Sequence, residues 1–174
     1  MKKFIYGIAA VVFGDFTIGY IEKNSWDWGG TKPESTDIDA EQVPDAPVLT
    51  LMTKLGQIAP TFNIIQLDYT NLQKVLGGEL VKSGETVTGW KAPTSMVELR
   101  GEWQIKFVSG QKMTIPNGMI LANLGGKLTL TEVSKLECQL KVSKPDDGGA
   151  PYGIEDMSEE ELTKLKSQLS GENS

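Results

Sequence analysis

The sequence predicts a mainly β protein: an antiparallel sandwich or barrel with one short flanking helix and a C-terminal helix. Three observations predict it. Apolar and polar residues alternate with period two over long stretches, which marks strands with one buried face. Glycine-bearing turn signals follow at short intervals, which suits antiparallel neighbours better than the long crossovers of a parallel sheet. Helical spacing of apolar residues occurs in only two short places.

The first element is the apolar run Phe4 to Gly14, 11 residues long. It is too short to cross a membrane as a helix, which needs about 20 residues. Rich in Ile, Val and Phe, it passes directly into Phe16–Ile21 and reads as a first strand or hairpin. Lys2 and Lys3 before it leave a secretory leader as the alternative, with Val12-Phe13-Gly14 a poor cleavage site. Val48–Leu55 and Thr61–Leu67 follow as strands. Asp68-Tyr69-Thr70 offers caps, Leu72, Val75 and Leu76 share one helical face, and Gly77-Gly78 ends a short helix over Thr70–Leu76.

The clearest strand is Val97–Phe107. Val97, Leu99, Gly101, Trp103, Ile105 and Phe107 face one side, and Glu98, Arg100, Glu102, Gln104 and Lys106 the other. Ser109-Gly110 turns it into Gln111–Ile115. Pro116-Asn117-Gly118 reads as a break, after which Met119–Leu124 and Lys127–Leu130 read as strands around Gly125-Gly126. Leu136, Cys138, Leu140 and Val142 form the apolar face of the last strand, so Cys138 points inward as a small buried thiol. Ser158 with Glu161 is a capping box, and Leu162, Leu165 and Leu169 give the helix behind it a thin stripe. The organisation expected is a β domain over residues 1–154 and an acidic helical tail over residues 155–174.

Composition narrows the function. The chain has 174 residues, one cysteine and no histidine, which removes His-dependent triads, Cys/His zinc sites and internal disulfides. Residues 145–174 hold eight acids against Lys164 and Lys166 and so carry the entire net charge of −6; the body is neutral. A neutral body offers no electrostatic grip on nucleic acid or an anionic membrane. Asp15, Glu22 and Asp27 sit on or near one hairpin, and their spacing does not build a glycosidase-like pair. Asp37-Ile38-Asp39-Ala40-Glu41 lacks the glycine and terminal glutamate of a calcium loop, and Gly29-Gly30-Thr31-Lys32 lacks the phosphate-loop spacing. No catalytic, cofactor or metal site is expected. The protein is read as a non-enzyme.

One segment does not fit a compact β domain. Asn24–Pro47 carries six acids, three prolines, Gly29-Gly30 and the pair Trp26 and Trp28. Structureless loops of that length are usually functional or disordered, and exposed tryptophans need a cover. Either a partner covers them or they fold back on their own sheet.

Together, Gly14–Glu22 with the loop to Pro47, Ala59–Gly78, and Ile115–Leu124 with Leu128–Val142 and Pro145–Gly148 resemble the tail tube (major tail) proteins of long-tailed bacteriophages. The resemblance covers about Gly14 to Ile154. It implies a subunit that assembles into six-fold rings, stacked into the tube through which DNA leaves the virion. The partners implied are other copies of the chain, and the tape measure, tail terminator and baseplate or tail-tip proteins. The location implied is the virion tail, assembled in the host cytoplasm, with no membrane and no cofactor. Residues 24–47 become the ring-stacking loop, with Trp26, Trp28, Pro33, Asp37, Asp39 and Glu41 as its contact residues. Glu98, Arg100, Glu102, Gln104 and Lys106 become the lumen-facing row. Related tubes occur in contractile tails and type VI secretion systems. The alternative is a secreted or surface β-sandwich module that binds ligand through Trp26 and Trp28.

Overall fold

The computed structural model describes residues 3–171. In chain order the elements begin with β1 (Ile8–Phe13), β2 (Phe16–Ile18), β3 (Glu34–Ile38), β4 (Leu49–Lys54), β5 (Thr61–Ile64) and α1 (Tyr69–Leu76). They continue with β6 (Glu79–Ser83), β7 (Thr86–Lys91), β8 (Leu99–Phe107), β9 (Gln111–Gly125), β10 (Lys135–Val142), β11 (Gly153–Asp156) and α2 (Glu159–Leu169). The fold is mainly β and antiparallel with two helices, as the alternation predicts.

The main sheet runs β2-β1-β8-β9-β10-β5, with β11 added to β9. It closes on itself, because the chain after β2 pairs back onto β5: Glu22 N–H donates to Asn63 O at 2.8 Å and Ile65 N–H to Tyr20 O at 2.9 Å. Closure satisfies the sheet edges that would otherwise recruit other strands. The N-terminal apolar run supplies β1, an interior strand paired with β2 on one edge and β8 on the other. Val11, Phe62, Ile64, Trp103, Ile105, Ile115, Leu136 and Leu140 fill the barrel with no exposed surface. Cys138 is buried with them, and that burial pushes its thiol up to about 12.

Each end of the barrel has its own plug. At one end α1 lays Leu72 and Val75 into the core; its first turn is fixed by Asp68, whose carboxylate accepts from Asn71 N–H at 2.8 Å. At the other end Trp26 stacks on Phe62 at 5.5 Å, and Trp28 lies against Trp26 at 5.8 Å and Phe107 at 6.2 Å.

The structure corrects three expectations. Pro116-Asn117-Gly118 does not break the chain: β9 runs unbroken for 15 residues. Pro116 sits where the β8–β9 register shifts between Gly101 and Trp103, so no ladder bond needs its missing N–H. At the same place the far edge of β9 passes from β11 to β10. Lys127–Leu130 is not a strand. Gly126 turns the chain at φ +78°, and the Thr129 hydroxyl accepts from the N–H groups of Thr131 and Glu132, which holds a local turn in place of a ladder. Residues 24–47 are not structureless, because they contain β3. The hairpin β6–β7, packed on α1, and the strand β11 are additions that the sequence did not announce. The boundary expected at residue 154 falls inside β11, which runs directly into α2.

Candidate functional site

The feature that sets this molecule apart from a plain barrel is an arm. Residues 27–61 form one long antiparallel ribbon. Asp27 and Thr61 exchange backbone hydrogen bonds of 2.9 Å at its base, Thr31 and Gln57 do so further out at 2.9 and 3.0 Å, and β3 pairs with β4 beyond them. Asp27 also accepts from Gly29 N–H at 2.7 Å, and Gly29 and Gly30, at φ +54° and +78°, start the arm. Glycine is required there: a Cβ on Gly30 would lie 1.9 Å from Gln57 O.

Every residue of β3 and β4 is exposed. The register nevertheless sorts them into two faces. Ile38 pairs with Leu49 and Thr36 with Leu51 on one face; Asp37 pairs with Thr50 and Ser35 with Met52 on the other, where the Thr50 hydroxyl donates to Asp37 at 2.7 Å. The tip carries Asp39, Glu41 and Asp45 with no base among them. The arm is therefore amphipathic, and its own barrel covers neither face.

The sequence-predicted contact residues separate. Asp37, Asp39 and Glu41 lie on the exposed outer arm and Pro33 just below it, but Trp26 is spent inside the subunit, stacked on Phe62. Of the two tryptophans only Trp28 keeps substantial exposure, at 39%. The apolar residues that face water on the arm, Ile38, Leu49, Leu51 and Met52, were not singled out from the sequence. The signal available was the apolar run at Val48–Leu55 without any buried counterpart.

The polar row on β8 is a second candidate surface. Glu98, Arg100 and Glu102 are exposed, and Gln104 and Lys106 are half-buried. The row neutralises itself. Arg100 donates to Asn117 Oδ1 at 3.2 Å and Ser143 Oγ at 3.3 Å and lies 3.9 Å from Glu98, while Gln104 donates to Glu102 at 3.1 Å. Lys106 stands directly opposite Lys112 in the ladder, a repulsive pairing. Lys112 is neutralised by Glu161 at 2.9 Å and Glu155 at 3.4 Å, so the start of α2 lies over that end of the row.

That contact docks α2. The capping box is complete, with Glu161 accepting from Ser158 N–H at 2.9 Å and Ser158 Oγ from Glu161 N–H at 3.3 Å, and Leu165 is the helix's buried residue. The Ser158 backbone bond, then Lys112, hold the Glu161 carboxyl down at about 2, and Glu161 in turn raises Lys112. A lowered carboxyl stabilises above its ordinary value of 4.5, and that contribution is lost as pH falls toward about 2. Acidification from pH 5 to 2 is thus expected to undock α2 before the barrel unfolds, read by NMR exchange of its amides. Glu161→Gln, which keeps the cap but loses the charge, should loosen the helix at neutral pH.

Among the described residues, the three carboxylates weighed from the sequence go to separate places. Glu22 accepts from Asn63 at 2.8 Å and pairs with Lys135 at 3.2 Å, which lowers its carboxyl, chiefly through Asn63; Asp27 serves the arm's base and Asp15 the β1–β2 turn. Among the described residues no three of His, Cys, Asp and Glu cluster as metal ligands would. A groove of about 780 Å³ runs between α2 and the β2–α1 wall, and its one carboxylate, Asp68, is already engaged as a helix cap. The chain matches no protein-family model, and no curated protein matches it significantly in sequence.

Proposed function

We propose that the protein is a structural subunit that self-assembles into a hollow tube of the phage tail-tube kind, as stacked rings of six copies within a virion tail. What supports the reading is the arm: a long ribbon with an apolar face, held out from a closed barrel that does not cover it. A two-stranded ribbon is marginal alone in water, and exposed apolar surface of this extent marks an interaction site. The arm is thus the inter-ring contact, with Trp28 at its base.

The row Glu98, Arg100, Glu102, Gln104 and Lys106 is assigned to the lumen. A conduit for DNA must not hold phosphates, and a row whose cation at Arg100 is already engaged by Glu98, Asn117 and Ser143 offers little to release counterions for. DNA passes without specific binding; tape measure, terminator and tail-tip proteins are the partners at the tube's ends. The chain performs no catalysis in this reading.

Negative-stain electron microscopy of the purified protein, dilute and then concentrated, tests it. Rings or hollow tubes of uniform width are expected. Monomers at every concentration, with and without an added tail-tip initiator, would reject the tube and favour the ligand-binding module.

A further inference from the structure

The barrel carries a second exposed apolar cluster, and the register places it opposite the arm. β10 starts at Lys135, beside the β9–β10 connection, and runs toward Val142; β5 is antiparallel to it, with Thr61 opposite Gln139. The arm joins β5 at Thr61 and so leaves the barrel in the direction away from that connection. In the connection Leu128, Leu130 and Val133 are 84%, 106% and 66% exposed, next to Leu124 at the end of β9 at 52%. Met96, just before β8, is 94% exposed and belongs to the same end by the β8–β9 register. No other described residue covers these side chains.

We propose that this end is the socket for the arm of a second copy of the chain, joined head to tail. The proposal rests on the reading of the arm as an assembly element and names what receives it. Three observations select another copy as the occupant. The two clusters differ and point in opposite directions, so joining them generates a repeating stack and not a closed two-fold pair. The reach allows it: from the Thr31–Gln57 bridge to the Ala40–Val43 bridge the ribbon extends ~30 Å, longer than an eight-residue strand such as β10 at ~26 Å. The area fits as well. Covering both clusters removes on the order of 1,000 Å² of apolar surface, where a specific interface begins. The apolar face formed by Ile38, Leu49 and Leu51 meets the leucines of the connection, while Asp37 and the acidic tip stay in water.

Two full-length variants separate the halves of the contact. Leu49→Asp with Leu51→Asp disables the arm, and Leu128→Asp with Leu130→Asp disables the socket; all four sites are exposed, so both chains keep the barrel. In analytical ultracentrifugation at concentrations too low for rings to close, each alone is expected to sediment as a monomer and their mixture to form a 1:1 dimer through the one intact contact. In parallel, a chain carrying Leu51→Cys and Leu130→Cys, oxidised after concentration, should give a ladder of disulfide-linked multimers, with neither single variant doing so. Absence of both dimer and ladder overturns the proposal, as does crosslinking by Leu51→Cys alone, which would mean arm against arm. The outcomes are distinct from those for the tube. Wild-type tubes with neither dimer nor ladder remove the socket only, and a dimer or ladder from a chain that never forms tubes removes the tube only.

Discussion

Replacing residues 34–54 by an Asn-Gly turn is expected to leave the barrel folded and to abolish tube formation, with nothing larger than a single ring remaining. The two halves of this prediction have separate causes. Both strands of the outer arm are exposed along their whole length, and no residue of the hydrophobic core comes from them. Removing such surface takes no buried contact with it and so changes stability little. The base survives, because the Asp27–Thr61 and Thr31–Gln57 pairs lie outside the deletion and Trp26 stays on Phe62. A two-residue Asn-Gly loop suits the twist of the shortened ribbon. Assembly, by contrast, loses the apolar face on which it is proposed to depend. Thermal melting by circular dichroism should therefore be nearly unchanged while electron microscopy shows no tubes, only subunits or single rings. Tubes of normal length from this variant would remove the arm from the assembly mechanism.

How far such features could be read in the sequence depends on whether a residue's environment is set locally. β8 was legible because Trp103, Ile105 and Phe107 alternate with Glu102, Gln104 and Lys106, and a half-buried strand records its two sides in its own residues. The caps of α1 and α2 were legible for the same reason: Asp68 and Ser158 act on backbone N–H groups three residues away. β3 was not. Glu34–Ile38 faces water on both sides, so no burial pattern is written into it, and only its partner β4, apolar and equally exposed, betrays a ribbon. Pro116 misled because its tolerance depends on the register shift against β8, between the Gly101–Gly118 and Trp103–Ile115 pairs, and not on its neighbours in the chain. The fate of Trp26 and Trp28, one stacked inside and one half out, was decided by Phe62 and Phe107, which no local rule connects to them. The β8 row was legible as polar, but its self-neutralisation by Asn117 and Ser143 was not.

Trp103→Ala is expected to be the most destabilising single change in the barrel, at about 3–5 kcal/mol. Trp103 has no exposed surface, its ring stacks on Phe13 at 4.4 Å, and its indole N–H donates to Gly118 O at 3.1 Å. It therefore ties β8, β1 and β9 together at the one place where the β8–β9 ladder shifts register. Truncation leaves a cavity that the closed sheet cannot collapse into, and the urea midpoint should fall by roughly 2 M for a chain of this size. Trp103→Phe retains most of the volume but strands the carbonyl, and should cost about 1–2 kcal/mol beyond the lost area. Gly118 is the other half of the same contact. A Cβ there would stand 2.7 Å from Trp103 Cδ1 and 3.3 Å from Ile115 Cγ2, so Gly118→Ala overpacks the site by about 1–3 kcal/mol. The two penalties have opposite geometric signs, one a void and the other a clash at the same position. They should not add: in the Trp103→Ala background the Gly118 methyl enters vacated space, and the double variant should be more stable than the sum of the single losses by more than about 1 kcal/mol. Additive losses in a double-mutant cycle of urea denaturation would mean that the indole does not rest on Gly118, and that the register shift is held by the backbone alone.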